Sequence, residues 1–127
     1  MLLYITLGTN DLLQAGRFYD AVLPTLGYRR QREAEEEIGY SANGDTRCRL
    51  WVVTPVNKRS ATIGNGSMVA LQAESRADVD AFYAAALANG GTDEGEPGLR
   101  SYHASFYAAY VRDPDGNKIS AVCEKPE

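Results

Sequence analysis

The chain has 127 residues, 44% apolar and 24% charged, which suits one globular domain or two very small repeated modules and excludes a disordered chain. Its longest apolar runs are about five residues, too short to span a bilayer, so no membrane partner is expected. Net charge is −4, from 13 basic and 17 acidic residues with no Lys/Arg cluster, so no electrostatic nucleic-acid face is expected either.

The N-terminal stretch lacks a basic n-region and turns polar after Gly8, which does not read as a secretory signal. Leu3, Ile5 and Leu7 alternate with Tyr4, Thr6 and Gly8, the period of a half-buried strand. Asn10 and Asp11 can cap a following helix, on which Ala15, Phe18, Tyr19, Val22 and Leu26 make one apolar stripe. Pro24 lies late in that stripe, so the last turn is expected to be distorted or already ended, and Gly27 closes the unit. Strands are predicted near Tyr28–Arg32, Ile38–Ala42 and Cys48–Val53, the last two joined by a hairpin turn at Asn43-Gly44-Asp45. The acidic run Glu33-Ala34-Glu35-Glu36-Glu37 reads as a solvated loop, with attraction of a cationic ligand as the alternative. Thr54–Gly66 is polar and contains Gly and Ser, a natural linker.

A second unit follows. Met68–Ala73 reads as a strand, and Ser75 caps a helix with Asp78 as capping-box partner. Val79, Phe82, Tyr83, Ala86 and Leu87 form its buried stripe, and Gly90-Gly91 stops it. Gly90–Gly98 reads as a Gly-rich loop with a short strand near Thr92. Ser105–Arg112 and Asn117–Cys123 form a hairpin around Asp113-Pro114-Asp115-Gly116, where proline presets the turn and glycine supplies positive φ.

The two units match. Phe18-Tyr19-Asp20-Ala21-Val22-Leu23 with Gly27 corresponds to Phe82-Tyr83-Ala84-Ala85-Ala86-Leu87 with Gly91, at a constant offset of 64 residues. The order is βαβββ twice. Two such sheets could curl around a shared hollow or pair with a second chain. Cys48 and Cys123 fall on predicted strands and read as small buried hydrophobes, and two cysteines are too few for a disulfide framework, which points to a reducing cytoplasm. No nucleophile elbow, P-loop or dinucleotide fingerprint is present.

These residues resemble the vicinal oxygen chelate superfamily, which holds glyoxalase I, bleomycin-resistance proteins and extradiol dioxygenases. The marks are Gly8-Thr9-Asn10-Asp11-Leu12 leading to Phe18-Tyr19 and Leu26-Gly27, the helix start Ser75–Phe82, and Tyr107–Asn117 ending in Asp-Pro-Asp-Gly-Asn. The resemblance implies an α+β fold in a single domain, 1–127, with tandem βαβββ modules over 1–54 and 67–127. The modules would build a curved eight-stranded mixed sheet around a cavity, in a chain that forms a homodimer. It also implies a metal-dependent lyase of the lactoylglutathione-lyase type, or a dioxygenase-related enzyme, if the family's ligands are in place.

By that resemblance the family's His and Glu ligand positions fall on Tyr4, Met68, Ser120 and either Arg49 or Trp51. A phenol of pKa about 10, a soft thioether, a weak hydroxyl, a guanidinium and an indole are poor ligands for a divalent ion. His103 is the single histidine, so two imidazoles cannot meet in one chain. No metal and no cofactor are therefore expected.

Strand alternation instead places Tyr4, Thr6, Arg49, Trp51, Met68, Ala70, Gln72, Ser120 and Val122 on the cavity side. His103 precedes the final hairpin, either bonded to backbone or water or standing at the cavity mouth against a ligand. The mixture suits a flat or apolar organic molecule with one or two polar handles. Alternatively Trp51 and Met68 fill the hollow as core, leaving a structural or interaction domain. The expected function is binding of a small-molecule ligand by a metal-free homodimer, with the lyase as the competing reading.

Overall fold

The computed structural model describes residues 1–127. The first strand, β1 (Ile5–Gly8), leads to Asp11, whose carboxylate accepts a hydrogen bond from the Gln14 N–H and so caps α1 (Leu12–Val22). Pro24 cannot donate a further helical bond, so the chain tightens into a 3₁₀ turn over Leu23–Leu26 and leaves it at Gly27, φ +82°. Strands β2 (Tyr28–Ala34), β3 (Glu37–Ala42) and β4 (Leu50–Val53) complete the first half. The second half repeats the plan. It runs β5 (Val69–Gln72), α2 (Arg76–Ala88) capped by Ser75 accepting from the Asp78 N–H, β6 (Thr92–Leu99), β7 (Tyr107–Arg112) and β8 (Lys118–Cys123).

The α+β class and the duplicated βαβββ plan are as expected. The eight strands form two four-stranded mixed sheets of the same order, β1-β4-β3-β2 and β5-β8-β7-β6. In each, the first strand of the half runs parallel to the last and the other pairs are antiparallel. One core of 19 buried residues joins the halves, with Phe18, Tyr19 and Val22 of α1, Val79, Phe82 and Ala86 of α2, and Leu50, Val52, Val111, Ile119 and Ala121 from the sheets. Each sheet therefore spends one face on the helices. Its other face is open. No helix is long and apolar enough to cross a membrane.

The Asp-Pro-Asp-Gly-Asn turn between β7 and β8 latches the halves together. Tyr19 Oη donates to Asp113 Oδ2 at 2.6 Å, Asn117 Nδ2 donates to the Gly8 carbonyl at 2.9 Å, and the Asn10 N–H donates to Asp115 Oδ1 at 2.8 Å. Burial raises the Tyr19 pKa well above its usual value, and the adjacent Asp113 charge adds to the effect. Asn10 also pins the linker, bonding both the N–H and the carbonyl of Ala61.

Four local expectations are corrected. The Gly90–Gly98 segment is the eight-residue strand β6 and not a loop with a short strand, because its glycines sit at register shifts and Pro97 is tolerated on an edge strand. Asn43-Gly44 does not close a tight hairpin. Gly44 turns with φ +82°, but the chain runs on to Leu50 before β4 begins, so Cys48 precedes the strand. Leu87, expected in the buried stripe, is 41% exposed, since α2 turns that position away from the core. The acidic run is the tip of the β2–β3 hairpin, with Glu33 and Glu37 already in the strands.

Candidate functional site

The open faces are where the chain offers space to a ligand. On the first sheet the register aligns Thr6, Trp51, Gly39 and Arg32 across the strands. Gly39 makes this row possible. A Cβ there would stand 2.7 Å from the Trp51 ring and 2.7 Å from Cys48 Sγ, so the indole lies down on the sheet. Above it is a cavity of about 560 Å³ lined by Tyr4, Thr6, Arg32, Arg47, Cys48 and Trp51 among others. Arg49 is not in that lining. Its guanidinium bonds Asp45 at 2.8 Å and the Leu3 carbonyl at 3.1 Å, fastening the approach to β1.

On the second sheet Ala70, Ser120, Tyr110 and Gly95 share a row. A cavity of about 650 Å³ opens there, lined by Met68, His103, Phe106, Tyr110, Arg100 and Lys118 among others. Gln72 faces a neighbouring hollow of about 410 Å³ with Ala70 and Val122. Ser120 is fully buried, and its hydroxyl has no hydrogen-bond partner.

Tyr4, Thr6 and Trp51 thus come together, and so do Met68 and His103, but each cavity is lined from one sheet only. Trp51 and Met68 leave space above them and do not plug these faces in the single chain. Parity alone could have found Tyr110 and Lys118, which alternate with core residues on β7 and beside Ser120 on β8. Arg100 carried no signal, since it follows a segment with no readable period.

His103 has both ring nitrogens engaged. Its Nδ1 accepts from the Ser105 N–H at 3.2 Å, which assigns the proton to Nε2, 2.8 Å from Glu124 Oε2. No lone pair is left to act as a base toward the cavity. The loop role fits this geometry, and the ring's edge still borders the cavity.

A divalent metal of the His/Glu-bound kind does not fit this donor set. Tyr4, Trp51, Met68 and Ser120 offer no imidazole and no carboxylate, and nowhere do three His, Cys, Asp or Glu side chains gather.

Comparison with known proteins agrees with the architecture. The sequence profile described as "Glyoxalase/Bleomycin resistance protein/Dioxygenase superfamily" matches residues 1–121. No curated protein matches the sequence. Among solved structures, a glyoxalase/bleomycin resistance protein from Albidiferax ferrireducens T118 is 41% identical, with TM-score 0.88 and 99% of each chain covered. A lactoylglutathione lyase from Agrobacterium tumefaciens superposes with TM-score 0.68 at 19% identity, over 97% of this chain and 92% of the other, and so is alike in fold alone. The same holds for the fosfomycin resistance protein FosX from Mesorhizobium loti, with TM-score 0.67, 17% identity, and 98% and 92% covered. A duplicated βαβββ fold, a profile matched from Met1 to Ala121 and a near full-length relative lead to one assignment: the chain belongs to the glyoxalase/bleomycin resistance protein/dioxygenase superfamily.

Proposed function

We propose that this protein is a metal-free, small-molecule-binding member of its superfamily that works as a homodimer in the cytoplasm. One observation carries the reading. Tyr4, Trp51 and Met68, at the family's ligand positions, line aromatic cavities, and Ser120 is buried, so these residues form no donor set. Tyr4 and Trp51 on one sheet, and Met68 with Tyr110 on the other, give flat, polarizable walls with few polar tips.

The dimer follows from incompleteness. Strands β1 and β5 are free edges. Beside them Leu2, Leu3, Tyr4 and Met68 are large apolar side chains left 79, 52, 51 and 44% exposed. A two-fold pairing that sets the first sheet of one copy against the second sheet of its partner covers these residues and closes two half-cups into two cups. Two free thiols, Cys48 and Cys123, agree with a reducing compartment.

A lyase of lactoylglutathione type rests on fold likeness alone, and fold does not fix chemistry. The test joins metal analysis of the purified protein with a thermal-shift screen of small aromatic compounds. The reading expects metal far below one ion per chain, and stabilising hits that Trp51→Ala or Tyr110→Ala abolishes. Stoichiometric Zn, Ni, Mn or Fe would replace it with the enzyme.

A further inference from the structure

The chain carries an excess of acid, yet its open faces present cations without partners. Six Lys/Arg–carboxylate ion pairs form, and none includes Arg100, Lys118, Arg32 or Arg47. The pattern is clearest on the second sheet. Two carboxylates share the cavity with Arg100 and Lys118, but Glu94 pairs with Arg112 at 2.6 Å, and Glu124 accepts the Nε2 proton of neutral His103 at 2.8 Å without pairing with either cation. Neither Arg100 nor Lys118 has a carboxylate within 4.0 Å.

Their placement is built into the fold. The Arg100 guanidinium carbon lies 5.3 Å from the Tyr110 ring centroid, and Lys118 Nζ lies 5.6 Å from it. Arg100 Nη2 donates to the Glu96 carbonyl at 2.6 Å, so the head group is held by backbone and not by an acid. Two glycines of β6 make the room. A Cβ at Gly95 would stand 2.9 Å from the Tyr110 ring and 3.3 Å from Arg100 Nη2, and one at Gly98 would stand 3.0 Å from Arg100 Nη1. A pre-positioned, unpaired guanidinium beside a flexible ammonium, over a phenol ring and next to Phe106, matches a planar group bearing negative charge. On the first sheet, Arg32 and Arg47 border the Trp51 cavity, where Glu37 is the carboxylate in the lining. The acidic run leans the opposite way, but its Glu33 and Glu36 are spent on Arg30 and Lys58.

We propose that the cavity on the second sheet selects a planar organic anion, an aromatic or conjugated carboxylate, which stacks near Tyr110 and places its carboxylate between Arg100 and Lys118. This rests on the small-molecule-binding reading and adds the charge and shape of the ligand. The volume, about 650 Å³, is ample for one or two fused rings.

The test uses the full chain and three probes of one shape in isothermal titration calorimetry: 2-naphthoate, neutral 2-naphthamide and cationic 2-naphthylmethylammonium. The expected order is naphthoate tightest, with the other two weaker by about tenfold or more. The Arg100→Gln/Lys118→Gln double variant should bind naphthoate no better than the amide. The charge-matched control Arg17→Gln/Arg59→Gln should keep the preference. Circular dichroism and thermal unfolding check that each variant is folded, and Lys118→Gln alone serves if the double variant is not. Equal binding of naphthoate and naphthamide, or a preference that survives loss of both cations, overturns the anion assignment while leaving the binding cavity in place. No binding by any of the three probes at millimolar concentration overturns the cavity reading itself.

Discussion

Replacing Tyr19 by Phe removes one oxygen from the contact that fastens the final hairpin to α1. Tyr19 is fully buried, and Asp113, 3% exposed, receives its hydroxyl at 2.6 Å. The carboxylate also accepts from the Asp115 and Asn117 N–H groups and from Asn117 Nδ2, at 3.0, 2.9 and 2.9 Å. A hydrogen bond to a charged acceptor contributes about 1.5–3 kcal/mol, and three donors remain, so the expected loss is about 2 kcal/mol. For a chain of this length that lowers Tm by about 7 °C. The pH dependence has a definite sign. The fold favours the neutral phenol, first through burial and then through Asp113, so Tyr19 stabilises fully below pH about 10 and loses this as pH rises through its raised folded value. Urea unfolding at pH 7 and above pH 10, with a double-mutant cycle against Asp113→Asn, reads both effects. The reasoning fails if Tyr19→Phe costs under about 0.5 kcal/mol, or if wild type and variant lose stability equally in alkali.

Gly39→Ala pushes a methyl group to 2.7 Å from the Trp51 ring, so the indole must lift, at a cost of about 1–3 kcal/mol. Trp51 is the single tryptophan, and its emission maximum should move, whereas an unchanged spectrum and Tm would contradict the packing described. Ser120→Ala removes a buried hydroxyl that has no partner, so stability should hold or rise by up to about 1 kcal/mol, and a clear loss in chemical denaturation would show that the hydroxyl has a partner.

Much of this fold is legible in the amino acids because its main signals are local and occur twice. The 64-residue offset, the two apolar stripes, and the caps Asp11 and Ser75 each depend on neighbours in the chain, and all stand in the structure except for Leu87, which α2 turns outward. Strand β6 was hidden because Gly95, Pro97 and Gly98 erase the alternation, and its existence depends on pairing with β7. The Tyr19–Asp113 bond joins residues 94 apart, so the Asp-Pro-Asp-Gly-Asn run reads as a turn but not as a latch. At the site, parity located Tyr4, Thr6 and Trp51. It could not show that Asp45 captures Arg49 from a loop, or that Arg100 folds back over Tyr110. Such placements depend on which acid reaches a long side chain first, and that is decided in three dimensions.

Native mass spectrometry of the purified chain, incubated with Zn²⁺, Ni²⁺ or Mn²⁺ and then desalted, bears most directly on the central proposal. The account predicts a species at twice the 13.8 kDa chain mass with no retained ion. A dimer that keeps one divalent ion per chain, or a monomer alone, would contradict it.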